Sequence, residues 1–75
     1  MRFKKFKEII KREFPWVDKV EKEGRWYIIR YASMIRKRIP LEVKEQMYDR
    51  LFKRIEELGF EWMLGDYAVY VRKKR

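Results

Sequence analysis

The segment Arg25–Pro40, RWYIIRYASMIRKRIP, is apolar on both faces of its first part and then becomes strongly cationic. A strand with one face in water alternates apolar and polar residues, because successive side chains point to opposite sides. Here Trp26 and Ile28 share one face, Tyr27 and Ile29 share the other, and all four are apolar. The segment therefore predicts a central strand whose second face needs a cover, followed by a basic linker.

The second face of this strand, in our interpretation, carries Tyr27, Ile29 and Tyr31, together with Tyr70 from a neighbouring strand. Three covers remain open. They are the Met34–Ile35 segment of the same chain, a second copy packed against the sheet in a homodimer, and nucleobases stacked on the tyrosine rings. The candidate stacking or interface residues are Tyr27, Tyr31 and Tyr70.

Two amphipathic helices flank this segment. The stretch Phe3–Phe14, FKKFKEIIKREF, has apolar residues at helical spacing. The helix must end before Pro15, because the residue that precedes a proline avoids the α region. The stretch 41–59 has a wide apolar stripe, and Gly59 is suited to the position just after a helix. We predict a helix in each stretch.

Each helix is followed by a predicted β-hairpin. In the first hairpin, WVDKV and RWYIIRYA flank the loop EKEG, in which Gly24 can adopt a positive φ. In the second, FEWML and YAVYV flank a two-residue Gly65–Asp66 loop. The expected pairs across this second hairpin are Leu64 with Tyr67, Trp62 with Val69, and Phe60 with Val71.

The order of elements predicts one α+β domain over residues 1–75. The most economical packing of α-β-β-α-β-β is a two-layer sandwich, with a four-stranded antiparallel sheet and two helices on one face. The halves 1–35 and 40–75 have the same element order, and FPWV after the first helix resembles FEWM after the second. We interpret this similarity as a weak internal αββ repeat.

The composition limits the chemistry that is available. The chain of 75 residues has no cysteine and no histidine, which excludes disulfides and thiolate or imidazole metal sites. Without these residues or threonine the usual nucleophile–base pairs cannot be built, and the carboxylates do not cluster at the spacing of metal ligands. We therefore expect no enzymatic activity, no metal and no cofactor.

Membrane insertion is not expected either. No apolar run approaches the ~20 residues of a membrane span, and no signal peptide is visible, so we expect a cytoplasmic protein. The first helix has the apolar face and the cationic flank of an interfacial helix. A domain of this size needs that apolar face for its own core, so we expect no membrane partner.

The net charge of +9 is distributed unevenly. Residues 1–40 carry 13 Lys and Arg against 5 Asp and Glu, residues 41–61 carry 4 against 6, and residues 62–75 carry 4 against 1. General surface ion pairing would balance each segment, so this distribution favours an anionic partner. The alternative explanation is a thermophilic source, because 11 Lys, 10 Arg and 9 Glu without Asn or Thr suit ion-pair networks.

Three lysines at positions 4, 7 and 11 form a row on the first helix, which we call the lysine ridge. Like charges at these spacings slightly destabilise a helix, so a phosphate partner would give them a purpose. With the basic linker and tail, they predict a surface that follows a nucleic-acid backbone and reads little sequence. The candidate binding residues are Lys4, Lys7, Lys11, Arg12, Arg25, Arg30, Arg36, Lys37, Arg38, Arg72 and Lys73.

The predicted function is therefore that of a small basic nucleic-acid-binding protein with an accessory role in packaging or regulation. DNA is slightly favoured over RNA as the partner. The alternative is a protein–protein interaction module, or the subunit of a homo-oligomer, that uses the apolar aromatic face of the sheet as its interface.

Overall fold

The computed structural model describes residues 1–74 and confirms the α+β class with a four-stranded antiparallel sheet. The strand order is β1-β2-β4-β3, so β2 and β4 are central and β1 and β3 form the edges. The elements are α1 (Phe3–Glu13), β1 (Lys19–Glu23), β2 (Trp26–Arg30), α2 (Ala32–Arg36), α3 (Leu41–Glu57), β3 (Phe60–Gly65) and β4 (Ala68–Lys73).

The first helix forms where its apolar spacing predicts it. Phe6 and Ile10 are fully buried, and the Phe6 ring lies 5.0 Å from the ring of Tyr27 and 4.9 Å from that of Phe60. Phe14 follows the last helical residue, and its N–H donates to the Ile10 carbonyl at 2.8 Å. The helix thus ends immediately before the proline, as predicted.

The long helix α3 covers the other half of the same sheet face. Leu51 and Ile55 are fully buried, and the Phe52 ring stacks on Trp62 of β3 with 4.1 Å between centroids. The chain leaves the helix at Gly59, whose φ of +89° is a conformation that side chains with a Cβ rarely adopt. This confirms the predicted end of the helix.

The central strand β2 is buried on both sides. Tyr27 and Ile29 face the helices, whereas Ile28 lies on the opposite face and is only 2 % exposed. The expected grouping of Tyr70 with Tyr27 is wrong, because Tyr27 pairs with Val71 and Ile28 pairs with Tyr70. Tyr70 therefore belongs to the sheet face that carries no helix, which we call the open sheet face.

Both hairpin turns lie one residue or more from their predicted places. The first turn is at Gly24–Arg25, since β1 continues to Glu23. The second is at Asp66–Tyr67, so the predicted pairs in this hairpin are wrong. The observed pairs are Leu64 with Val69, Trp62 with Val71, and Phe60 with Lys73. Because the register moves by two residues, each side chain keeps its predicted face.

Gly65 has a steric role in the second hairpin, although it lies outside the turn. Tyr67 takes the left-handed conformation at φ 57°, while Gly65 remains in the strand. A Cβ atom on Gly65 would overlap the ring of Tyr70, which lies across it on the open sheet face. Glycine is therefore needed at position 65 for a close contact and not for a turn.

A third, short helix was not predicted. Residues Ala32–Arg36 form α2, which buries Met34 in the core beside Tyr31. The two halves do share the order αββ, and their central strands pair with each other. However, FPWV precedes β1 whereas FEWM forms part of β3, so these two motifs are not structurally equivalent. The internal repeat stays an interpretation of the element order.

Candidate nucleic-acid interface

The lysine ridge lies on the outer flank of α1. Lys4, Lys7 and Lys11 are all exposed. On the other side of the helix, Glu13 accepts hydrogen bonds from Arg54 of α3 at 2.9 and 3.1 Å, which joins the two helices. At 100° per residue the ridge lies roughly opposite Glu13. Its charges therefore point away from α3 and toward the edge of the sheet at β1.

The lysines do not take part in the ion pairs of the protein. Every ion pair within residues 1–74 uses an arginine: Arg30 with Glu21, Arg54 with Glu13 and Glu57, and Arg72 with Glu61. None of the eleven lysines, all of which lie within these residues, has a carboxylate partner there. If the lysines were abundant because they stabilise the fold, they would take part in ion-pair networks. The ion pairs within residues 1–74 do not include them.

The ridge meets the basic linker near Asp18. Lys11 Nζ donates to the Asp18 carbonyl at 3.3 Å, and the Asp18 carboxylate accepts the N–H of Ser33 at 2.9 Å. Hydrogen bonds from Ser33 lower the pKa of Asp18, and the nearby charges of Lys11 and Lys37 lower it further. The linker cluster Arg36–Arg38, which is exposed, therefore lies on the same part of the surface as the end of the ridge.

Two of the predicted residues lie on the sheet face opposite the helices. Arg30 and Arg72 are on the open sheet face, where they pair with Glu21 and Glu61. The hydrogen bond and charge of Glu21 raise the pKa of Arg30, which keeps that pair fully ionised. The prediction that Arg30 joins the lysine ridge in one surface is wrong, because strand alternation directs it to the side of the sheet opposite the helices.

Arg12 is exposed but is not part of the ridge. On the helical wheel it lies beyond Glu8, on the flank of α1 that is nearer to α3. The structure therefore brings the ridge and the linker cluster together and separates Arg12 from them.

The stacking platform, one of the three covers that the sequence left open, does not form. Tyr27 and Tyr31 are buried beneath the helices, so neither ring is available to a nucleobase. Tyr31 packs against Tyr48 with ring centroids 5.3 Å apart, and burial raises the pKa of both hydroxyls. Of the three candidate tyrosines, only Tyr70 lies on the open sheet face, where its ring meets Trp26 edge-on at 6.1 Å.

The open sheet face is apolar at its centre and balanced in charge at its rim. Its centre consists of Trp26, Ile28, Met63 and Tyr70. By register, three cations and three carboxylates surround this centre: Lys19, Arg30 and Arg72, with Glu21, Glu23 and Glu61. This face therefore has no excess of charge to attract a phosphate backbone, in contrast to the flank of α1.

A cleft of about 420 Å³ lies at the end of the sheet, beside the β1–β2 turn; we call it the end cleft. Its charged lining residues are Lys22, Arg25, Arg72 and Lys73, and its aromatic ones are Trp26, Tyr27 and Phe60. No carboxylate is among the lining residues that the structure describes. Lys22 and Trp26 were not predicted from the sequence as site residues. A turn at Gly24–Arg25 pairs Lys22 with Tyr27, and this pairing would have indicated Lys22.

Other kinds of site find no support among residues 1–74. This part of the chain contains no group of three or more acidic side chains arranged to hold a metal ion. It also contains no helix whose length and apolar character would allow it to cross a bilayer. Comparison with protein-family models, curated proteins and solved structures gave no match. The function must therefore be inferred from the geometry of the molecule.

Proposed function

We propose that the protein binds nucleic acid through the phosphate backbone, using the lysine ridge and the linker cluster. The observation that supports this most directly is the absence of carboxylate partners for the ridge lysines within residues 1–74. Unpaired cations on a helix flank release counterions from phosphates when they bind, and this release supplies most of the affinity of non-specific complexes.

The position of the ridge favours a duplex over a single strand, and we propose DNA ahead of RNA as the partner. The ridge extends about 10 Å along an exposed helix, from Lys4 to Lys11 at 1.5 Å per residue, and continues into the linker cluster. Tyr27 and Tyr31 cannot stack on bases beside it, since both are buried. A surface of cations without stacking partners suits the regular backbone of a duplex and contributes little sequence discrimination.

Fluorescence anisotropy with a blunt duplex DNA, measured over a salt series, tests this function. The expected result is a linear fall of log K with log salt, with a slope of about −3 to −5 if the three ridge lysines and one or two linker residues each neutralise a phosphate. Absence of binding at low salt, or a slope near zero, would exclude it. An RNA duplex of the same sequence in the same buffer tests the preference for DNA.

A second candidate function rests on the open sheet face. An apolar centre that presents Met63 together with the half-buried rings of Trp26 and Tyr70, surrounded by equal numbers of opposite charges, is suited to a protein contact. The occupant that we favour is a second copy of the chain, because a balanced rim does not repel its own image. Light scattering at high protein concentration tests this: a dimer that Met63→Glu dissociates is expected, and a strict monomer excludes it.

A further inference from the structure

The end cleft combines aromatic rings with four cations, of which only Arg72 has a carboxylate partner within residues 1–74. The rings of Tyr27 and Phe60 form its floor with centroids 5.6 Å apart, and both residues are buried. Trp26 lines the cleft from the open sheet face, on the other side of the sheet from Tyr27 and Phe60, and the guanidinium of Arg72 lies over its ring at 5.1 Å from the centroid. Glu61 holds Arg72 in that position.

The remaining charges of the cleft are free to meet an anion. Lys22, Arg25 and Lys73 are exposed and form no ion pair within residues 1–74. They come from three different elements, which are β1, the β1–β2 turn and β4. The fold therefore brings Lys73, near the end of β4, to Lys22 and Arg25, which are three positions apart in the first hairpin.

This combination matches the chemistry of a nucleotide. Bases stack on aromatic rings and on guanidinium planes, and phosphates bind lysine and arginine. The volume of about 420 Å³ is within the range of small-ligand sites, and a cleft of this size is too small for a base pair with both backbones. We propose that the end cleft binds one unpaired nucleotide, with its base against Trp26 and its phosphate at Arg25 and Lys73.

The cleft adjoins the lysine ridge, so one nucleic acid can reach both. Phe3, at the start of α1, meets the Tyr27 ring of the cleft floor at 5.1 Å, and the Tyr27 hydroxyl donates to the Met1 carbonyl at 3.5 Å. Lys4, the first residue of the ridge, follows directly. The proposal rests on the proposed function and refines it, since the preferred ligand becomes a duplex with an unpaired end.

The indole N–H signals in a ¹⁵N–¹H NMR spectrum test the cleft by itself. The chain has three tryptophans, of which Trp16 packs on Tyr48 and Trp62 on Phe52, so both serve as internal controls. Titration with adenosine 5′-monophosphate is expected to shift the Trp26 signal, which Trp26→Phe identifies, and to leave the other two in place. An equal response of all three signals, or an equal effect of inorganic phosphate, would overturn the stacked base.

Anisotropy with two duplexes tests the cleft in the complex. A duplex with a three-nucleotide overhang is expected to bind the wild-type protein about tenfold more tightly than the blunt duplex, the size expected of one stacked base. The variant Arg25→Gln/Lys73→Gln should lose most of this difference, whereas Lys19→Gln/Lys53→Gln, which removes the same charge elsewhere, should keep it.

The outcomes separate this proposal from the proposed function. Binding of the blunt duplex without any gain from the overhang would overturn the cleft and leave the ridge intact. Failure of both duplexes to bind would overturn the ridge, and the nucleotide titration would then decide the cleft alone. Equal losses for the two charge variants would also overturn the cleft, because general charge would then explain its effect.

Discussion

The Asp18 carboxylate accepts a hydrogen bond from the N–H of Ser33 at 2.9 Å, across fifteen positions of the chain. Ser33 lies in the first turn of α2, where backbone N–H groups have no partner within the helix. Asp18, which precedes β1, thus caps a helix that belongs to a different part of the sequence. This contact holds the linker cluster against the end of the lysine ridge.

Removal of this cap should destabilise the fold slightly. For Asp18→Ala we expect a loss of about 0.5–1 kcal/mol in the free energy of unfolding, the lower half of the range for helix caps, because the carboxylate is exposed. Urea denaturation measures it. Asp66→Ala is the control. It should have little effect, because Asp66 is exposed in a turn and its side chain accepts no hydrogen bond among residues 1–74.

The contribution of Asp18 should also depend on pH. Its pKa is lowered in the folded protein, mainly by the hydrogen bonds from Ser33. A lowered pKa stabilises the fold at pH values above the pKa of the unfolded chain, about 3.9, and this stability is lost as the pH falls through the folded value. The difference between wild type and Asp18→Ala should therefore be present at neutral pH and vanish in acid. A difference that stays the same in acid as at neutral pH would contradict this origin.

The lysine ridge should contribute to binding and not to folding. The triple change Lys4→Gln, Lys7→Gln and Lys11→Gln removes like charges from one flank of α1, so the melting temperature should stay constant or rise slightly. Duplex affinity should fall, and the salt slope should decrease by about 2 to 3 because up to three phosphate contacts are lost.

The matched control for the ridge removes three charges outside it. Lys19→Gln, Arg50→Gln and Lys53→Gln change exposed residues on the open sheet face and on α3. An equal loss of affinity in this control would show that total charge, and not the ridge, determines binding. A melting temperature that falls in the ridge variant alone would assign those lysines to stability.

Gly65 and Tyr70 should be energetically coupled. Gly65→Ala places a methyl group against the Tyr70 ring, which must move, and we expect a cost of about 1–3 kcal/mol. In a Tyr70→Ala background the same change should cost much less, because the obstructing ring is absent. A double-mutant cycle by chemical denaturation measures the coupling. Additive effects would show that the two residues are not in contact.

The hydroxyl of Tyr48 should add nothing to stability. It is buried, and within residues 1–74 it has no hydrogen-bond partner. Tyr48→Phe removes this unsatisfied group and keeps the ring beside Trp16 and Tyr31, so unfolding should become harder by as much as about 1 kcal/mol. Thermal denaturation checks the sign. A clear loss would reveal a partner, such as a bound water, for this hydroxyl.

Local patterns predicted the elements well. The helical spacing around Phe6 and Leu51, and the stop at Gly59, are properties of short stretches that depend on burial and backbone conformation alone. The turn in the second hairpin was harder to predict from the sequence. Glycine at position 65 suggests a turn, yet it lies in a strand, where the Tyr70 ring leaves no room for a Cβ atom. Such a contact exists only after the strands have paired.

The candidate site was harder to predict than the fold, because it depends on non-local register. Which face carries Tyr70 follows from the pairing of β2 with β4, and the strands lie some forty residues apart. The same pairing separates Arg72 from the ridge and places it over Trp26. The ridge itself was predictable, since its three lysines are on one helix and their spacing alone puts them together.

The equal numbers of opposite charges on the open sheet face affect the orientation in which the molecule approaches a charged partner. Positive potential arises on the flank of α1 and at one end of the sheet, while the open face contributes almost nothing to the field at long range. A polyanion would therefore rotate the protein during its approach, before any contact forms, and the flank of α1 would meet it first. Its neutral side would then point outward from the complex, where a further macromolecule could bind without electrostatic repulsion.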